Sequence, residues 1–83
     1  MQLEPDLTEA HNLLGAALAG GGDFNRAETE LRRALEIDPD YPDALGNLAH
    51  LLAARGALDE AAFYFARAVE LKRATVRFAR ITR

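Results

Sequence analysis

The 83-residue chain is expected to be all-α, an α-α superhelix (solenoid) of two stacked helix-turn-helix hairpins whose last helix is extended or followed by a short capping helix. Three observations predict this. The chain repeats itself when slid along by 34 residues. Within each copy, small and apolar residues recur every three or four positions, the period of a helix with one buried side. Glycine and proline fall between these periodic stretches, where chain reversals are needed. A repeat of this size marks stacked helix pairs, because one pair alone leaves an apolar side bare.

The identical pairs are Pro5/Pro39, Asp6/Asp40, Ala10/Ala44, Leu14/Leu48, Leu18/Leu52, Ala19/Ala53, Gly22/Gly56, Ala27/Ala61, Arg33/Arg67, Ala34/Ala68 and Glu36/Glu70. Phe24/Leu58, Leu31/Phe65, Leu35/Val69 and Ile37/Leu71 are alike in chemistry. The agreement falls on small and apolar residues, where packing between helices would place it. One domain, residues 1–83, follows. Repeat one covers about 6–39, repeat two about 40–73, and 74–83 form a basic amphipathic tail.

Helix one should begin near Leu7, with Asp6 as its cap and Glu9 completing a capping box. Ala10, Leu14, Ala17 and Leu18 are its expected core stripe. Gly20-Gly21-Gly22 should end it, since glycine accepts the left-handed conformation of a helix exit. A phosphate-binding loop would need a preceding strand and a following Lys-Ser/Thr, and neither is present. Helix two should run from about Asp23 or Phe24 to Ile37, capped by Asp23. Ala27, Leu31, Ala34 and Leu35 are its buried stripe. Arg32 and Arg33 lie three or four residues from Glu28, Glu30 and Glu36, a spacing at which surface ion pairs form.

Pro39 disfavours helical backbone at Asp38, so helix two must stop there. Asp40 is the expected cap of helix three, with Pro42 and Asp43 suited to its first turn. Ala44, Leu45, Leu48, Leu51 and Leu52 are the apolar side of that helix, and Arg55-Gly56 should end it. Helix four should begin near Leu58 or Asp59 and bury Ala61, Ala62, Phe65, Ala68, Val69 and Leu71. Neither Gly nor Pro follows Leu71, so helix four is expected to continue to about residue 80. The alternative is a kink near 73–75 and a short helix folding back.

These positions resemble the tetratricopeptide repeat (TPR) family. The first copy supplies His11, Leu14-Gly15, Leu18, Ala27, Leu31, Ala34 and Pro39 at the family's spacing. The second supplies Leu45, Leu48-Ala49, Leu52, Ala61, Phe65 and Ala68. The departures are His11 at a bulky aromatic position, Ala49 for Gly and Arg73 for Pro. The resemblance covers about residues 7–72.

It implies a function: the first helix of each TPR pair lines a concave groove that holds a partner peptide. Carried over by position, that groove presents Glu9, Asn12, Ala16 and Ala19 from helix one. Helix three adds Asp43, Gly46, Asn47, His50 and Ala53. Asn12, Asn47 and His50 are the polar groups suited to a peptide backbone, and small neighbours leave room for it. Asn47 and Arg77 match parts of the clamp with which some family members grip a C-terminal carboxylate. Asn12 and Ala16 stand where that clamp wants Lys and Asn, so it is incomplete.

Two repeats leave apolar surface in want of cover, which suggests the alternative function of a self-associating scaffold or assembly domain. Val76, Phe78 and Ile81 would cap the open end, or two chains would pair through Phe63, Tyr64, Phe65 and the tail. Charge points weakly to a third class. All 13 acids and five of the arginines precede Lys72, for −8; Lys72, Arg73, Arg77, Arg80 and Arg83 then supply +5. A basic tail can contact nucleic acid, but the acidic body and the ordinary solvated-face explanation weigh against this.

Composition bounds the chemistry. The chain has no cysteine, which removes disulfides, thiolate zinc and a cysteine nucleophile. It has no serine. His11 and His50 are far apart in sequence, and neither has a ligand partner at helical spacing. The expectation is therefore no catalysis, metal or cofactor. No apolar run approaches the roughly 20 residues of a membrane span. The acidic start is unlike a signal peptide, and a cytoplasmic location is expected.

Overall fold

A computed structural model describes the backbone of residues 7–81 and the side chains of residues 7–75. It contains four helices, α1 (Leu7–Gly20), α2 (Phe24–Ile37), α3 (Pro42–Ala54) and α4 (Leu58–Ile81). Each helix packs on the next, with α1 against α2, α2 against α3 and α3 against α4, and α1 also touches α3. No strand occurs among the described residues.

Both hairpins close in the same way. Gly22 and Gly56 adopt φ of +89° and +86°, the left-handed region that glycine enters without strain. The next residue's N–H then reaches back over the helix end. Asp23 N–H donates to the Leu18 carbonyl at 2.9 Å, and Ala57 N–H to the Leu52 carbonyl at 2.8 Å. This is the Schellman exit, which satisfies carbonyls that the helix leaves unpaired. Its recurrence 34 positions on confirms the repeat in the backbone itself.

The other boundaries follow local chemistry. Asp23 caps α2 through a bond from Arg26 N–H to its carboxylate, as expected. Asp38, ahead of Pro39, is extended and ends α2. The cap expected of Asp40 is not made. Tyr41 precedes α3 and offers no side-chain cap, while Pro42, lacking an N–H, reduces the need for one. Asp40 pairs with Arg67 on α4 instead. The expected Asp6 cap lies outside the described residues. Helix four runs unbroken through Ile81, because Arg73 stands where Pro39 stops α2; the alternative kink is absent.

The core lies between α2 and the second hairpin. Ala27 and Leu31 of α2, Leu48, Leu51 and Leu52 of α3, and Ala61 of α4 form one buried cluster. Leu18, Leu35 and Tyr64 pack on its edge. All five expected apolar residues of α3 are buried. The expected stripe of α1 is not. Thr8, Asn12 and Gly15 are its buried residues, whereas Leu14 and Ala17 are exposed and Ala10 and Leu18 half-buried. The reason is that the stripe read from the sequence faces away from α2. Its counterpart on α3 is covered by α2, and no described element covers that of α1. On α4, Ala62 and Val69 are likewise exposed, and Phe65 and Leu71 half-buried, against the expected full stripe.

Gly15 explains how closely the first hairpin packs. A Cβ there would lie 2.7 Å from Leu31 Cγ and 3.2 Å from the Ala27 carbonyl. Ala49 fills the equivalent place in the second hairpin, where Phe65 replaces Leu31.

Candidate functional site

The first helices of the two hairpins, α1 and α3, lie side by side and form one face. Along α3, Asp43, Gly46, Asn47 and His50 recur at one-turn spacing, so all look out from it. Two hollows flank the ridge made by Asn47 and His50. The larger, about 490 Å³, is walled by Leu13 of α1, by Asp43 and Gly46 of α3, and by Phe65, Val69 and Lys72 of α4. The smaller, about 240 Å³, lies between α1 and α3, with Ala16 and Ala19 on one side and Phe24 and Leu31 at its base. Asn47 and His50 line both.

The polar groups of the ridge are held in place. Asn47 Nδ2 donates to Asn12 Oδ1 at 2.9 Å, joining the two helices. Asn12 is buried, so this bond satisfies a side chain that water does not reach freely. The exposed His50 ring stands edge-on to Phe65, with centroids 4.9 Å apart and planes at 90°. The floors are apolar and the rim carries Asp43 and Lys72, so the face suits a segment with both apolar and polar groups.

Of the residues that the sequence suggested for this face, Asn12, Asp43, Asn47 and His50 meet at the larger hollow, and Ala16 joins Asn47 and His50 at the smaller. Glu9 is exposed and lines neither. Sequence reasoning missed Leu13, Phe24 and Lys72 for this face, placed Val69 in the core, and gave Phe65 either to the core or to a contact between chains. The spacing of Phe65, Val69 and Lys72, two successive helical turns, was the available signal. Ala49 in place of Gly15 was another, since it marks a second hairpin with a different gap between its helices.

The residues suggested for self-association divide. Phe63 is 65% exposed, and Tyr64 is half-buried and edge-on to it at 5.2 Å. Both line a third hollow, on the α2–α4 side, with Arg32, Leu35 and Arg67. The side chains of Val76, Phe78 and Ile81 lie outside the described residues. Arg32 is the most engaged charge of the seam between hairpins. It binds Glu28 at 2.8 Å and reaches Glu60 at 3.5 Å and the Tyr64 hydroxyl at 3.4 Å. Burial works against its charge, but bonds to Glu28 and Tyr64 outweigh it and hold the guanidinium above its ordinary pKa. Beside it, Arg55 bridges the hairpins to Glu28 at 3.2 Å and Asn25 at 2.7 Å. His11 Nδ1 lies 2.7 Å from Glu30, within the first hairpin.

Among the described residues, no group of three or more His, Asp or Glu side chains is gathered as a metal site would need. No described helix is long and apolar enough to cross a membrane.

Four helices in adjacent pairs, with a repeated exit and an open face on the first helix of each pair, define a helical-repeat protein. The family model described as tetratricopeptide repeat matches residues 18–81. The chain belongs to that family, whose repeats are protein–protein interaction modules. No curated protein matches it.

Proposed function

We propose that this chain is a non-catalytic module that holds a partner peptide on the α1–α3 face, with residues 6–39 and 40–73 as the two repeats that build it. The observation carrying this reading is the pair of hollows on either side of the Asn47–His50 ridge. Each hollow has an apolar floor, and the ridge between them holds the polar groups. An extended segment crossing the ridge would seat one apolar side chain against Phe65 and Val69. Its backbone would meet His50 and the carbonyl oxygen of the Asn47 amide, whose nitrogen is already engaged with Asn12. Glycine and alanine at Gly46 and Ala16 leave the approach open.

The test is selection of peptides from a displayed random library on the purified chain, followed by titration of the winners against His50→Glu and Gly46→Leu. Both positions are outside the core, and helix content by circular dichroism checks folding. Loss of at least about tenfold in affinity, worth some 1.4 kcal/mol, supports the groove. Winners that bind both variants as well as the parent chain would rule it out.

A further inference from the structure

The two outer faces of the molecule are copies of the two faces that meet inside it. Inside, α3 lies on α2 through Ala44, Leu48 and Leu51, all buried. The same register on α1 is Ala10, Leu14 and Ala17, where Leu14 is 45% exposed and Leu48 is 0%. On the receiving side, α2 offers Leu31 and Leu35. The same register on α4 is Phe65 and Val69, of which Val69 is 53% exposed. From this correspondence we infer that α1 of a second copy of this chain docks on α4, as α3 docks on α2, that copies stack head to tail, and that a docked copy competes with the proposed peptide for Phe65 and Val69.

The polar residues of the inner seam show why the occupant is a second copy. Arg55 bonds Glu28 across that seam. Shifted by 34 positions, both partners vanish together: Gly21 takes the place of Arg55 and Ala62 that of Glu28. Asn47 bonds Asn12. Shifted likewise, Leu13 takes the place of Asn47 and Gly46 that of Asn12. Ala66 takes the place of Arg32. At these positions the outer seam has exchanged hydrogen-bonded pairs for small or apolar residues on both faces, while Asn25, the other partner of Arg55, is matched by the exposed Asp59 at the start of α4. Replacing one partner alone would strand a polar group in the contact; replacing both does not. Gly46 adds a fit of shape. Space is open beyond its Cα, where Leu13 of the arriving copy would lie.

A contact between two different faces does not close on itself, so each added copy offers a fresh α4 face and the stack stays open-ended. A seam of one helix pair is small by the standard of stable complexes, so association should be weak and concentration-dependent.

Sedimentation equilibrium of the 83-residue chain tests this. The weight-average mass should rise with concentration and pass twice the 9.1 kDa of one chain. Leu14→Glu blocks one face and Val69→Glu the other, and each variant alone should remain monomeric. Mixed in equal amounts they should form a dimer and stop there, since one good α1 face and one good α4 face remain between them. Both positions are exposed, and an unchanged circular dichroism spectrum verifies that the variants fold. If Leu14→Glu alone still dimerises, the contact is a symmetric one between α4 helices and the proposal fails. A constant monomer mass for the parent chain overturns it as well.

Discussion

Leu14 and Leu48 hold the same place in two copies of one motif, yet one is exposed and the other fully buried. This pair allows the cost of burial to be measured with residue type, helix position and neighbouring sequence pattern nearly fixed. Truncating Leu48 to Ala removes three carbons from a packed site. At about 0.8 kcal/mol per buried CH₂, the transfer loss alone is about 2.4 kcal/mol. The void left between α2 and α3 raises the total to roughly 3–5 kcal/mol. Leu14 is already about half solvated, so its truncation forfeits roughly 1 kcal/mol and encloses no cavity. Leucine and alanine differ little in helix propensity, and that difference is shared by both substitutions.

The measurement is urea unfolding followed by circular dichroism, at a concentration low enough that the chain is monomeric. A domain of this size has about 4–12 kcal/mol in all, so Leu48→Ala should remove from about a quarter to all of it and lower the urea midpoint in proportion. Leu48→Val gives a milder reading, about 1 kcal/mol, should the alanine variant be unfolded outright. If Leu14→Ala costs as much as Leu48→Ala, the outer face of α1 is covered in solution. The account of both faces would then be wrong.

Other substitutions separate packing from propensity and from charge. Gly15→Ala should lose about 1 kcal/mol net, since overpacking against Leu31 by 1–3 kcal/mol exceeds a propensity gain of about 1 kcal/mol, whereas Gly46→Ala, with nothing within 4 Å, should gain up to about 1 kcal/mol; thermal unfolding of both decides. Asn47→Ala strands the buried Asn12 oxygen and should cost about 1–3 kcal/mol, and the double variant with Asn12→Ala should cost less than the two singles together, as a double-mutant cycle would show. Arg55→Ala removes a solvent-accessible bridge and should cost under about 1 kcal/mol at low salt, with less effect in high salt, read from urea midpoints at both ionic strengths.

How much was legible in the chain depends on how local the cause is. Helix ends are local. Gly22 and Gly56, Asp23, and Pro39 acting on Asp38 each produced the boundary read from them. The long α4 followed from a missing stop at Arg73. The cap assigned to Asp40 failed because a carboxylate has more than one use. Arg67, 27 residues away in sequence, claims it. The α1 stripe failed for a related reason. Periodicity tells that a face is apolar, and only the neighbours decide which apolar face is covered. Along α3 the pattern and the burial agree, because α2 lies on one side and α4 on the other.

The candidate site shows the same limit from the opposite direction. Asn12, Asn47 and His50 were singled out because a repeat register carries positions from one helix to the next, and the structure brings them together on the α1–α3 face. The walls that give the site its shape come from α4, outside that register's first helices. Phe65 reads as core in the sequence, yet it is half-buried, with its ring perpendicular to that of His50. A repeat sequence therefore records which residues are equivalent, and the structure adds which equivalents have lost their cover. Where a register position is buried in one copy and bare in the next, the bare copy marks surface available for binding. Leu14 is such a position, while Phe65 and Val69 are each less covered than Leu31 and Leu35, and all three lie on or beside the faces on which the proposed partners would dock.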